Sequence, residues 1–207
     1  MKFLLLMFFL LPCFSLAQTI EYQNDSYSIV SVKETKTISF TGYMEPLSSM
    51  AIITALQYSG YTTLSLNSTG GLLDESVILG KYIKENDVIV LIKESDICVS
   101  ACAFAAINSL NLILKGKLFF HRPYQDYSPT DSTIEEINIQ FQNFTLGLVK
   151  VFASNGYNIT LLQMIMNETN KDTFIIFKTT DQLNHFKTTT FYEDFTPNKE
   201  WYSIEKR

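Results

Sequence analysis

Ser100 stands in the run Ile97-Cys98-Val99-Ser100-Ala101-Cys102-Ala103-Phe104-Ala105-Ala106, between the β-type segment Val88–Ile92 and an alanine-rich stretch that favours helix. A serine where a strand turns sharply into a helix has its hydroxyl lifted clear of the sheet, at the positive end of the helix dipole. That place suits a nucleophile, and it equally suits an ordinary helix N-cap. The hydroxyl attacks only if a neighbouring base removes its proton. The chain has two histidines. His121 ends the strand-like run Lys117–Phe120, whereas His185 lies in a polar, surface-like stretch, so His121 is the candidate base. An oxyanion developing on a substrate would need preorganised donors. Gly71 of the Gly70-Gly71 pair has no Cβ, so its N–H can approach a bound carbonyl, and the Ala101 N–H at the helix start supplies a second donor. A tight strand-to-helix turn accounts for the same two glycines and is compatible with that role.

Cys98 and Cys102 flank Ser100. In an oxidising compartment such a pair suggests a disulfide. Two small buried hydrophobes are an equal reading, because bridging depends on the directions of the two Cβ atoms. Two thiols and two distant histidines do not form a zinc ligand set, so neither metal nor cofactor is expected.

The elements that would position these residues follow an exported leader. The chain of 207 residues opens Met1-Lys2, continues with an apolar run from Phe3 to Leu16, and reaches Ser15-Leu16-Ala17. One positive charge, a short hydrophobic segment and small residues where a signal peptidase reads predict a signal peptide over 1–17, with cleavage after Ala17. The run is short for a membrane span, so the expected product is a single domain, 18–207, periplasmic or secreted. Loss of Lys2 leaves 15 Lys and Arg against 21 Asp and Glu, a net charge of −6, with no basic cluster. That balance argues against nucleic acid and anionic membranes as partners.

Residues 18–36 read as an edge strand and hairpin, and 37–41 as a strand. Glu45-Pro46 opens a helix whose apolar face is Met50, Ile53, Ala55 and Leu56. Residues 63–67 form a strand leading into Ser68-Thr69-Gly70-Gly71. A helix from Leu72 to Lys84 buries Leu73, Val77, Tyr82 and Ile83. Strands alternating with such helices predict βαβ units, a mainly parallel sheet and ligands beyond the carboxyl ends of its strands. Gly70-Gly71, Ser100 and His121 all fall at such ends. Ser132-Thr133-Ile134-Glu135 reads as a capping box. It opens a long helix over 132–153, whose stripe of Ile134, Ile137, Phe141, Phe144, Leu148 and Val151 is widened by Ile139, Leu146, Val149 and Phe152. A stripe that wide serves both the chain's own core and a seam with another subunit. A second helix, Thr160–Met166, precedes the run Lys171–Phe177.

Three blocks in this order, Leu66-Asn67-Ser68-Thr69-Gly70-Gly71, Cys98-Val99-Ser100-Ala101-Cys102 and Phe120-His121-Arg122-Pro123, resemble the Clp-fold serine proteases. The likeness runs over roughly residues 37–187 and is greatest to their exported, stand-alone bacterial relatives. The family's Asn-Ser-Pro-Gly-Gly appears with Thr69 in place of the proline. The resemblance implies a ClpP/crotonase-like spiral of βαβ units with a long protruding helix, and a Ser-His-Asp triad carried by Ser100, His121 and Asp172. Asp172 lies in Thr169-Asn170-Lys171-Asp172-Thr173-Phe174, similar to the family's acid-bearing stretch, with Asp74 and Asp126 as alternatives. It implies a peptide or protein substrate, extended beside the glycines, and homo-oligomer contacts through helix 132–153. An exported enzyme would work without ATP and without an ATPase partner. Asn108-Ser109-Leu110-Asn111 departs from the small-residue turn usual in the relatives and would alter the pocket floor. Two other functions fit the same residues, a catalytically inactive interaction protein of this fold and an esterase or thioesterase on the same site.

Overall fold

The computed structural model describes residues 20–124, 134–187 and 195–206. The expected leader and the capping box at Ser132 lie outside these residues. The chain is mixed α/β, with a sheet that is parallel at its centre and antiparallel at its flanks.

β1 (Glu21–Gln23), β2 (Tyr27–Val32) and β3 (Thr37–Met44) form an antiparallel flank. α1 (Ser48–Ser59) then returns the chain to β4 (Thr63–Gly71), which runs parallel to β3 along its whole length. α2 (Leu73–Glu85) leads to β5 (Ile89–Ile92), again parallel to β4. Each crossover helix buries one face against the sheet, as an apolar strand set with both faces covered requires.

The apolar faces of both helices match those read in the sequence except at one residue each. In α1 the buried residues are Ser48, Ser49, Ile52, Ile53, Ala55 and Leu56, while Met50 is 49 % exposed. In α2 they are Glu75, Ser76, Leu79, Gly80 and Ile83, with Leu73 and Tyr82 partly buried against the core, while Val77 is 48 % exposed. Ser49, Ser76 and Gly80 occupy positions an apolar stripe would assign to large side chains. Close approach of α3 (Ala101–Ala106) explains Gly80, because a Cβ there would stand 2.5 Å from Nδ2 of Asn108 and 3.6 Å from Cα of Ala105.

The strand that delivers Ser100 is not Val88–Ile92. β5 ends at Ile92, the chain turns at Lys93–Asp96, and a separate strand, β6 (Ile97–Val99), runs into α3. β7 (Leu112–Leu114) and β8 (Lys117–Phe120) make the same step, so β5 pairs with β7 while β6 pairs with β8, both in parallel. Gly116 lets the two corners nest, since a Cβ there would run into the carbonyl oxygens of Lys93 and Asp96. β4 touches both halves, β5 along Thr63–Ser65 and β6 at Ser68 opposite Cys98. That second contact brings the end of β4 beside the start of α3. β9 (Thr173–Phe177) pairs antiparallel with β8 and β10 (Ser203–Lys206) with β9.

α4 (Ile134–Ser154) is the long helix expected after the histidine, and α5 (Ile159–Glu168) follows, capped by Asn158, whose Oδ1 accepts the Thr160 N–H at 2.8 Å. A short α6 (Thr180–Asn184) precedes the last segment. Behind the Ser100 turn, Phe104 of α3, Phe120 of β8 and Phe152 of α4 meet edge to face at centroid distances of 5.4 to 6.5 Å. Rings in this arrangement add attraction beyond their burial.

Candidate active site

Ser100 occupies the N-cap position of α3 without acting as a cap. An N-cap residue ordinarily has an extended backbone and a side-chain oxygen that accepts an amide of the first turn. Ser100 has φ 55° and ψ −118°, and its hydroxyl makes no such bond. Its main chain is tied at both ends instead, the N–H donating to the Phe119 carbonyl at 2.9 Å and the carbonyl accepting from Phe104 N–H at 3.0 Å. The hydroxyl is left half-buried on a backbone that L residues rarely adopt. Cys98 and Cys102 are joined by a disulfide with Cα atoms 5.2 Å apart, so a covalent bridge spans the turn on its core side, where both residues are fully buried.

The glycine pair meets this turn from β4. Ser68 Oγ accepts the Gly70 N–H at 3.0 Å, and Gly70 (φ 93°) lies so close to the elbow that a Cβ would stand 2.5 Å from the Val99 carbonyl and 2.9 Å from Ser100 Cβ. Gly71 pairs with Met44, and Leu72 N–H reaches the Met44 carbonyl at 2.8 Å.

His121 follows β8 directly. Phe119 aligns with Val99 in the β6–β8 register and receives the Ser100 N–H, so the imidazole and the hydroxyl stand on the ends of neighbouring strands. Phe174 packs edge to face on both Phe119 (6.0 Å) and His121 (5.2 Å), which puts those two rings on one face of the sheet. The imidazole is buried, 6 % exposed, with Tyr124 on its open side. Burial holds its pKa below the ordinary imidazole value, and a hydrogen bond to the Arg122 carbonyl opposes that shift. The bond joins Nδ1 to the carbonyl oxygen at 2.9 Å. A carbonyl only accepts, so Nδ1 carries the hydrogen and Nε2 keeps its lone pair. A neutral ring in this tautomer can take a proton from a hydroxyl at Nε2.

Asp172 stands apart from this ring. It is exposed in the turn before β9, where its N–H donates to Asn170 Oδ1 at 2.8 Å. Among the described residues, no carboxylate acts on the imidazole, whose Nδ1 partner is the main chain. Asp74 is exposed in the first turn of α2, and Asp126 lies outside the described residues. His185 is exposed and stacked on Trp201 at 4.4 Å, remote in role from this site. Asn108 and Ser109 are both buried. Asn108 bonds the Phe104 carbonyl and Asn155, and Ser109 Oγ bonds the Val88 carbonyl, closing the turn after α3.

A shallow cavity of about 200 Å³ opens on the face that carries Phe119, lined by Thr69, Ile97, Val99, Phe174 and Ile176 together with the charged Glu205 and Lys206. Its apolar wall runs up to the elbow through Val99 and to the glycine turn through Thr69.

A peptidase from Plasmodium falciparum, known from its crystal structure, superposes on this chain with a TM-score of 0.56 at 16 % identity, covering 74 % of this chain and 93 % of that one. The two share a fold. No known family profile matches the sequence. No curated protein matches it by sequence either.

Proposed function

We propose that this chain is a serine peptidase of the Clp fold. Ser100 attacks a peptide carbonyl while His121 Nε2 takes the hydroxyl proton and then passes it to the leaving amine. The amides of Gly71 and Ala101 stabilise the oxyanion. The observation that carries this reading is Ser100 itself, a serine at a helix start with a positive φ and a hydroxyl that caps nothing, on the strand next to the one that leads into a buried imidazole bonded through Nδ1. The likeness to the Plasmodium peptidase supports the reaction class.

The bound segment lies beside β4, and the apolar cavity takes one of its side chains. The apolar leader over 1–17 and the disulfide under the elbow favour an exported protein in an oxidising compartment, working without ATP. Incubation with a peptide mixture, followed by mass spectrometry, tests this. Cleavage by the wild type and not by Ser100→Ala is expected, with apolar residues enriched next to the cut. Turnover of acyl esters with no peptide cleavage would move the protein to the esterases, and cleavage preferring charged side chains would remove the cavity from the account.

A further inference from the structure

The motif His121-Arg122-Pro123 leaves the imidazole leaning on a main-chain carbonyl, and a carbonyl can orient a base only if the backbone of its residue is held. Two devices hold it. Pro123 restricts the preceding residue to extended backbone, which limits rotation of the Arg122 carbonyl. On the other side of its Cα, in the preceding peptide unit, the Arg122 N–H donates to Thr169 Oγ1 at 2.6 Å and anchors the residue. That hydroxyl is buried, 4 % exposed, and donates its own hydrogen to the Ile165 carbonyl at 2.6 Å. The connection runs from α5 through the Thr169 hydroxyl to the Arg122 N–H, across the Arg122 Cα to its carbonyl, and on to His121 Nδ1. The Arg122 side chain takes no part and is exposed.

We infer that Thr169 is the positioning residue of the base, fixing through the Arg122 backbone the tautomer and direction of His121. This inference rests on the serine-nucleophile reading above. Thr169 touches neither substrate nor reacting atoms. Its hydroxyl is needed in both senses, as acceptor for the amide and donor to Ile165, which valine of the same shape cannot supply and serine can. Aligned reacting groups are sensitive to displacement, and about 1 Å can cost on the order of 100-fold.

The test is the rate at which a fluorophosphonate labels Ser100, followed across pH, in wild type, Thr169→Val and Thr169→Ser, with thermal unfolding of each. Thr169→Val is expected to label about 10- to 100-fold more slowly at the plateau. Its acid limb should move to lower pH, because the imidazolium has lost a firm acceptor. Thr169→Ser should stay within a few fold of wild type. A merely structural hydroxyl would lower the unfolding temperature without moving the acid limb, and that result, or wild-type labelling by Thr169→Val, overturns the inference while leaving the nucleophile in place. A folded wild type that is not labelled at Ser100 brings down the nucleophile and this inference together.

Should Thr169→Val fail to fold, the imidazole nitrogens of the wild type decide. With His185→Gln simplifying the spectrum, a long-range nitrogen–proton correlation should show His121 protonated at Nδ1. Protonation at Nε2 overturns the inference.

Discussion

Holding φ at 55° costs a non-glycine residue about 1–3 kcal/mol, which the ladder bond to Phe119, the α3 bond to Phe104 and the disulfide impose on Ser100. Glycine would adopt the same backbone without that cost. Ser100→Gly is therefore expected to be more stable than Ser100→Ala by about 1 kcal/mol in denaturant unfolding, although both lack the hydroxyl. Equal stabilities would mean that the elbow is not strained. His121 shows how an environment sets a protonation state. Burial keeps the ring neutral and ready as a base, so the acid limb of activity should fall below the ordinary imidazole pKa, about 6.5. A limb at or above that value in a pH–rate profile would contradict the buried, carbonyl-held ring.

The elements bring in residues that take no part in chemistry. α1 starts at a left-handed Leu47 with no side-chain cap of its own, and Glu75 of α2 serves it from across the fold. Burial works against the Glu75 charge, but bonds from the Ser49 hydroxyl and amide and from the Leu47 amide outweigh it and leave the carboxyl below its usual pKa. A carboxyl whose pKa is lowered by folding stabilises the fold above the unfolded value and loses that contribution as pH falls. Wild-type stability should thus decline below about pH 4.5, and Glu75→Gln should flatten this dependence in acid titrations followed by circular dichroism. The disulfide closes a very short loop, and by chain entropy it contributes about 2 kcal/mol. Reduction, or Cys98→Ala with Cys102→Ala, should lower the unfolding temperature accordingly, and no change would mean the bridge is idle in the fold.

Much of this arrangement was legible in the residues and some was not. Alternating strands and helices, the long helix before 154 and the turn residues at Gly70 and His121 follow from period and breaker signals. β6 did not, because three residues set off by a polar corner carry too little periodicity to read as a strand. In α1 and α2 the expected faces hold except at Met50 and Val77, and the close approach of α3 that puts a glycine at position 80 leaves no signal in hydrophobic period. Thr169 sat within the block examined for its aspartate, but a side-chain bond to a peptide 47 residues away leaves no local pattern.

At the scale of the molecule, a central parallel sheet that divides at β4 carries the site on the ends of three strands, β4, β6 and β8. In α4 Leu148 and Phe152 are buried, while Ile139 and Leu146, seven residues apart on one face, are 50 % and 58 % exposed. Residues at that spacing form a seam between helices. We propose that copies of the chain associate along it. Sedimentation should find an oligomer that Leu146→Glu dissociates, and a monomeric wild type would contradict the assembly.

The reactivity of one hydroxyl decides whether Ser100 is a nucleophile. The folded protein, treated with a fluorophosphonate and digested, should carry the phosphonyl group on the peptide containing Ser100, and His121→Ala should abolish the label without unfolding the chain. A wild type that remains unmodified at Ser100, or one that labels as fast without His121, would contradict it.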